Sequence, residues 1–323
     1  MSEPVHRAGI LSNPLSGRNK KSSSSIKHVL ETHSTIPQYE VETLKEIDEA
    51  VSGLAQQQVT VIVINGGDGT VQAVLTSLLH HQPFKTLPLV AILPSGTSNL
   101  NAGDVGLKGN RPAALQQLIE WTHGQGQDPS ILQRHILRVQ RVPQEDPIYG
   151  MVFGAGAIYQ GAQVGWKTKQ SVGKLGEVGA TLIIGRFILS LLSSPNSHIT
   201  PIQATVRLND HSSIQTEFLT ILTTTLERLF LGLRPYWGTE AAPLHYTAVK
   251  RKPKHMLRTL PSLLFGKPHK YGTPEHGYDS HNVRKIELDL HDGFTVDGED
   301  YKPDPRQGPV CITDGGQVSF IQF

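Results

Sequence analysis

Along the first hundred residues, short runs that are almost wholly apolar alternate with stretches whose apolar positions recur every three or four residues. The runs are Ala8–Leu11, Val59–Ile64 and Leu87–Leu93. An unbroken apolar run is what a strand buried on both faces of a parallel sheet needs. A further strand is predicted at Tyr39–Leu44. Helical spacing appears around Ser24–Thr32, then at Glu46–Gln57 through Ile47, Ala50, Val51 and Leu54. It recurs from about Thr70 onward through Val71, Val74, Leu75, Leu78 and Leu79. Such alternation predicts a doubly wound α/β domain over residues 1–135.

After Ile136 the period changes. Short strand candidates at Ile136–Val142, Ile148–Phe153, Ile202–Leu208, Phe218–Thr223, Lys285–Leu290 and Phe294–Val296 are separated by Gly, Pro, Asn and Asp. They predict a second, mainly antiparallel domain over residues 136–323. A helical insert is expected at Leu175–Leu192. The last apolar stretch, Gln317–Phe323, can pair with either domain, so a return to the N-terminal sheet stays open.

Composition narrows the class. The chain has 323 residues, 37% of them hydrophobic, with 31 Gly and 21 Pro, as in a loop-rich globular protein with room for two cores. A net charge of +2 gives no reason to expect a nucleic-acid partner. The single Cys311 excludes a disulfide framework and a cysteine zinc site, and fits a reducing, cytoplasmic setting. The polar start, Met1–Gly9, does not read as a secretory signal, and the longest apolar run, Leu182–Leu192, is broken by Arg186. Membrane contact is therefore expected to be peripheral. The fifteen histidines make no metal-binding pattern, and Gly154–Gly161 lacks the spacing of a dinucleotide loop.

Candidate chemistry collects at the ends of the predicted strands. Asn65-Gly66-Gly67-Asp68-Gly69-Thr70 lies between a buried strand and an amphipathic helix. There, glycines let backbone amides approach anionic oxygens and the helix N-terminus favours negative charge. Leu93-Pro94-Ser95-Gly96-Thr97-Ser98-Asn99 repeats the arrangement one strand later, and Asn13-Pro14-Leu15-Ser16-Gly17-Arg18 supplies a third turn with a cation. In an open α/β sheet such turns face one crevice at the carboxyl ends of the strands. Near the C-terminus, Val296-Asp297-Gly298-Glu299-Asp300 sets carboxylates on a turn, where they can act on a proton or simply make a hairpin.

In this order, the four segments resemble the diacylglycerol kinase catalytic-domain family, which includes bacterial lipid kinases and the sphingosine and ceramide kinases. The resemblance implies an α/β nucleotide domain, a β-sandwich-like acceptor domain, and ATP in the cleft between them. It further implies Mg²⁺ carried with the nucleotide and transfer of the γ-phosphate to a hydroxyl of a lipid such as diacylglycerol or a sphingoid base. By position it assigns Asn13, Arg18, Thr43, Gly66, Gly67, Asp68, Gly69, Thr70, Gly96 and Thr97 to the ATP site. It offers Asp297, with Glu299 beside it, or Asp68 as the base, Asp297 being favoured. There is no P-loop lysine motif, so amides, Arg18 and the metal must neutralise the phosphates.

The chain departs from the family pattern at Leu100, where an acid usually stands. It departs again at Thr223–Arg228, and at Tyr236–His245, which lacks the aspartates of the family's structural Mg²⁺ site. No structural metal is expected there. Lys250–Lys270 holds seven Lys/Arg and no acid among Met256, Leu257, Leu260, Leu263, Leu264 and Phe265. It reads either as an ordinary surface helix or as a patch for the inner membrane face. Two rival readings are an NAD kinase, which shares Gly-Gly-Asp-Gly-Thr, and a silent nucleotide- or lipid-binding protein. The lipid acceptor's identity and the oligomeric state are not legible.

Overall fold

The computed structural model describes residues 6–19, 23–96, 99–163, 200–229 and 232–323. The chain divides into two compact units, one formed by Met1–Arg134 with Gly316–Phe323 and the other by His135–Gly315.

The first unit is a parallel sheet with helices on both faces. Its strands are β1 (Ala8–Ser12), β2 (Gln38–Glu40), β3 (Val61–Gly66) and β4 (Leu89–Pro94). They lie in the order β2-β1-β3-β4, all parallel. Along each strand alternate side chains face opposite ways. Ala8, Ile10, Val61, Val63, Ala91 and Leu93 pack with Ile26 of α1 (Ser23–Thr32) and with Leu115, Leu118 and Ile119 of α5 (Arg111–Thr122). Their neighbours Leu11, Ile62, Ile64, Val90 and Ile92 are equally buried. They turn to the face of α2 (Leu44–Gln56) and α3 (Asp68–Thr76), which bury Ile47, Val51, Leu54, Val71, Val74 and Leu75. A short helix, α4 (Leu100–Val105), follows β4. Because β2 and β3 flank β1 on opposite sides, the chain reverses its winding between β1 and β3. That is the crevice where open α/β sheets hold ligands.

The last strand, numbered β15 (Val310–Gln322), ends in this unit, with Phe320 paired parallel to Val90. Phe320 and Ile321 are fully buried, which supplies the apolar reason for the return.

The second unit is antiparallel. Its strands are β5 (Ser130–Gln140, entering from the first unit), β6 (Ile148–Gly150), β7 (Val152–Gly156), β8 (Ile202–Leu208), β9 (Ile214–Thr224), β10 (Leu244–Lys250), β11 (Tyr278–Val283), β12 (Lys285–Leu290), β13 (Phe294–Val296) and β14 (Glu299–Tyr301). The long β9 pairs with β8 through its first half and with β7 and β10 through its second. Phe153, Ile221, Tyr246, Leu288 and Phe294 build a core of their own. A helix, α6 (Met256–Phe265), joins β10 to β11.

Several boundaries differ from expectation. The strand expected at Tyr39–Leu44 closes at Glu40, because Thr43 and Glu46 form a capping box and Leu44 is already helical. The helical stripe that reaches Leu78 and Leu79 continues α3 as a π-helical turn over Ser77–His81. Strands β10 and β11 were not expected: Tyr278–Val283 carries a polar Asp-Ser-His-Asn centre with no alternation. The final strand starts at Val310 rather than Gln317. Gly154–Gly161, which lacks the spacing of a dinucleotide loop, holds the end of β7 and then helical residues up to 163. The helical insert expected at Leu175–Leu192 lies outside the described residues. No helix among the described residues is long and apolar enough to cross a membrane.

Candidate active site

Strands β1, β3 and β4 are adjacent, so the three turns that follow them meet at one end of the sheet. The first turn is an Asx-turn: Asn13 Oδ1 accepts from the Leu15 amide at 2.8 Å, and its Nδ2 donates to Thr70 Oγ1 at 3.0 Å. Ser16 Oγ accepts from the Gly67 amide at 3.0 Å. Residues of the first turn thus hold the glycine-rich turn in two places.

The second and third turns touch through glycine. A Cβ on Gly96 would lie 2.9 Å from Gly67 Cα, and one on Gly67 3.4 Å from Gly96 Cα. A side chain at Gly96 would push the two backbones apart. A Cβ on Gly66 would sit 2.6 Å from Thr70 Cβ. Close approach therefore requires glycine at Gly66 and Gly96, while a Cβ at Gly67 would make an ordinary contact.

Asp68 opens α3, where a carboxylate is favoured by the helix dipole. Its side chain also reaches the next turn, Oδ2 accepting from the Leu100 amide at 3.1 Å and Oδ1 from the Asn101 amide at 2.9 Å. Asn99 does not cap α4 with its side chain, and Asp68 performs that office from 31 residues away. The carboxylate is 8% exposed and clasps the two turns together. Gly67, the N-cap of α3, has no side chain of its own to close the helix, and its amide donates instead to Ser16 Oγ from the first turn.

A buried polar hub lies beneath the turns. Asn65 Nδ2 donates to Ser12 Oγ at 3.2 Å, while its Oδ1 accepts from Ser95 Oγ at 2.5 Å and from Arg111 Nη2 at 2.9 Å. Arg111 also donates to Asn19 Oδ1. Asn19 Nδ2 in turn donates to the carbonyls of Asn13 and Asn65 at 2.8 and 3.1 Å. Arg18 closes the hub from above, its amide donating to Ser95 O at 3.0 Å and its Nη1 to Pro94 O at 3.2 Å. Burial pushes the Arg111 guanidinium's pKa down, and the nearby charge of Arg18 pushes it further. Both oxygens that Arg111 bonds belong to neutral amides. Its Nε, like both polar atoms of the fully buried Asn101 side chain, has no hydrogen-bond partner among the described residues. Arg18 lies near enough to Arg111 for its charge to be felt, and the oxygens that Arg111 bonds are neutral, a setting that favours an anion.

Of the residues anticipated from sequence, Asn13, Arg18, Gly66, Gly67, Asp68, Gly69, Thr70 and Gly96 belong to this cluster or to its turns. Thr97 lies outside the described residues. Thr43 sits at the N-cap of α2, its Oγ1 accepting from the Glu46 amide at 3.3 Å while Glu46 Oε2 accepts from Thr43 N at 2.9 Å. Its hydroxyl serves the helix. Asn19 and Arg111 were not anticipated. Asn19 directly follows the quoted Ser16-Gly17-Arg18, but nothing in the chain pairs it with Arg111, 92 residues away.

Asp297 belongs to the second unit, in the turn between β13 and β14, at φ +50° and 3% exposed. Its carboxylate accepts from the Met151 amide at 3.1 Å through each oxygen and from the Val152 amide at 2.9 Å. Its own amide donates to Val152 O at 2.8 Å. The side chain therefore pins the hairpin to β7. Glu299 is half-buried on β14. Burial raises the Asp300 carboxyl pKa, with a hydrogen bond from Gln163 opposing it. Among the described residues no group of three or more His, Cys, Asp or Glu is arranged to hold a metal ion.

Residues 7–125 match the family model of the diacylglycerol kinase catalytic domain. Two solved structures from Bacillus anthracis str. Sterne, each carrying the provisional name of a diacylglycerol kinase, superpose with a TM-score of 0.66 at 14% identity. The first covers 99% of this chain and 98% of its own, the second 100% and 99%. A third from the same organism, called a diacylglycerol kinase, superposes at 0.59 with 12% identity, covering 99% of this chain and 95% of its own. No curated relative matches the sequence. At these identities the structural likeness speaks for the fold, which is shared over the whole chain.

Proposed function

Residues 7–125 belong to the diacylglycerol kinase catalytic-domain family, and from that premise we propose that the protein is an ATP-dependent lipid kinase. It would transfer the γ-phosphate of ATP to a hydroxyl of a lipid such as diacylglycerol or a sphingoid base. The observation that carries this reading is the anion-binding crevice at the ends of β1, β3 and β4. There a glycine opens α3, Gly67 and Gly96 approach too closely for a side chain at Gly96, and Arg18 lies near enough to Arg111 for its charge to be felt.

A triphosphate suits that donor set. Amides of Gly69 and Thr70 would bind phosphate oxygens, Arg18 would neutralise charge from the side, and Asn13 would orient the turn through Thr70. Arg111 and Asn65 act as positioning residues beneath. Mg²⁺ would arrive with the nucleotide and supply charge neutralisation at the phosphates. Asp68 clasps two turns through the amides of α4 as Asp297 clasps its hairpin through those of Met151 and Val152, so the choice between the two carboxylates rests on the family pattern, which favours Asp297.

We assign the acceptor's proton to Asp297. Amide donors make a carboxylate less basic, yet they also fix its direction. In phosphoryl transfer through a loose transition state the nucleophile needs little activation, and orientation counts for more than basicity. The hydroxyl oxygen bonds to the γ-phosphorus as the bond to the departing ADP oxygen breaks, and the hydroxyl proton passes to Asp297.

The test is transfer of label from γ-labelled ATP with Mg²⁺ to a mixed lipid extract in detergent micelles, with NAD as a parallel acceptor. Label in an organic-soluble product is the expected result. Label in NADP, or in no acceptor despite measurable ATP binding, overturns the reading. In the same assay Asp297→Asn should bind ATP normally and lose turnover by about a hundredfold or more. Near-normal turnover in that variant would remove Asp297 from the chemistry.

A further inference from the structure

Helix α6 (Met256–Phe265) is packed with its polarity reversed. Thr259 and Ser262 are fully buried, whereas Leu257 is 72% and Phe265 58% exposed. Leu257, Pro261 and Phe265 follow one another at intervals of four, so they form one exposed stripe about 12 Å long at 1.5 Å per residue. An ordinary surface helix does the opposite, turning such a stripe to the core.

The inward hydroxyls explain how the fold tolerates this arrangement. Thr259 Oγ1 donates to His255 O at 3.2 Å, and Ser262 Oγ donates to Lys267 O at 2.6 Å beyond the helix end. Arg234 N donates to Leu264 O at 2.9 Å, and the Tyr278 hydroxyl meets Met256 Sδ at 3.8 Å. His255 (φ +56°) and Gly266 (φ +65°) end the helix sharply on either side. The stripe is thus held outward by a satisfied inner face.

Positive charge surrounds it. Lys250–Lys270 carries seven Lys/Arg and no acid, while the remaining 23 Lys/Arg of the chain stand against 28 Asp/Glu in all. Summed over the rest of the chain, acidic residues outnumber basic ones by five. Arg258 and Lys270 lie over the ring of Tyr271, at 5.6 and 5.0 Å from its centroid, which keeps two of the cations at the rim of the stripe.

We propose that α6 docks the protein on an anionic lipid bilayer, Leu257 and Phe265 entering the interface while the surrounding Lys and Arg meet the headgroups. Charge complementarity selects this occupant: the patch attracts an anionic surface and the acidic remainder is repelled by it, which turns α6 toward the membrane. The apolar stripe is short, so neither part suffices alone. The inference rests on the surface of the second unit and does not require the kinase reading.

The test is co-sedimentation of the full chain, without ATP, with vesicles of phosphatidylcholine alone or mixed with phosphatidylglycerol. Binding is expected to the mixed vesicles only, and to weaken steeply as salt is raised from about 0.05 to 0.5 M. Leu257→Ser with Phe265→Ser should reduce the partition coefficient by about tenfold or more at an unchanged melting temperature. Lys252→Glu with Lys254→Glu should reduce it more. Equal sedimentation of the wild type and both variants overturns the proposal. So does a dimer that the Leu257/Phe265 variant dissociates in the absence of vesicle binding, which would make a second copy the occupant. Vesicle binding without phosphoryl transfer in the micelle assay would sink the kinase reading and leave this one standing.

Discussion

Asn65 and Arg111 show how single residues decide what the crevice can do. Asn65 uses its side-chain amide on Ser12, Ser95 and Arg111, so one carboxamide ties three turns to one cation. Arg111 is 9% exposed and bonded to neutral oxygens, an arrangement that is costly unless an anion is there to share its field. Arg111→Met should therefore lower stability by about 2 kcal/mol, the worth of its charged hydrogen bonds, and weaken ATP binding about tenfold. Calorimetric titration beside a thermal melt separates the two effects. A stability loss with unchanged ATP affinity would make Arg111 purely a strut. Arg111→Lys restores the charge without the planar fork, so only partial recovery is expected.

Among the elements, α2 and α3 begin in opposite ways. The start of α2 is fully capped: Thr43 and Glu46 satisfy each other's amides, and Glu46 Oε2 also accepts from Glu42 N at 2.7 Å. These backbone donors hold the Glu46 carboxyl below its usual range. The start of α3 is a glycine with no side chain to form such a box, its amide held by Ser16 from another turn. A helix end closed by its own capping box has less to offer a phosphate than one opened by glycine. Thr43→Ala is accordingly expected to cost about 1 kcal/mol of stability with ATP affinity unchanged. A fall in affinity without a fall in melting temperature would restore Thr43 to the phosphate site. Asp68 works between elements, and its clasp on Leu100 and Asn101 is what keeps the second and third turns in register.

For the whole molecule, a net charge of +2 leaves local pairs to set the pH response. The strongest of these lies on the β10–β11 side of the second unit. His281 Nε2 meets Asp279 Oδ1 at 2.9 Å and its Nδ1 meets Glu240 Oε1 at 2.5 Å. Asp279 first, then Glu240, raises the imidazole to about 9 against partial burial. Burial alone would raise Glu240, but the Asn282 amide and the His281 ring bring it to about 2. A raised histidine adds stability that is complete below its unfolded value near 6.5 and gone once pH has passed through about 9. A lowered glutamate adds stability that is complete above about 4.5 and lost as pH falls through about 2. The pair should therefore contribute most between about pH 4.5 and 6.5. Both side chains are partly exposed, so salt will reduce the effect. The melting temperature of the wild type should fall between pH 6.5 and 9 more than that of His281→Ala. Parallel curves for the two proteins would rule out this pair as the source.

The sequence alone determined the α/β alternation of the first unit, because strands buried on both faces must be apolar throughout and helices must show a stripe. It also carried the three turns, since close approach at Gly66 and Gly96 leaves glycine as the residue that fits. Where polar bonds rather than apolar burial define an element, the chain was opaque. Strand β11, with Asp-Ser-His-Asn at its centre, is specified by its pairing with β10 and by Glu240, not by any local period. The reversed polarity of α6 was equally hidden, because periodicity shows that a stripe exists and not which way it faces. Arg111 joined Asn19 and Asn65, and Asp68 capped a helix beyond the next strand, only once the sheet had brought distant turns together. Long-range pairing of polar groups has no signature along the chain, for what satisfies a buried donor is the acceptor that folding places beside it.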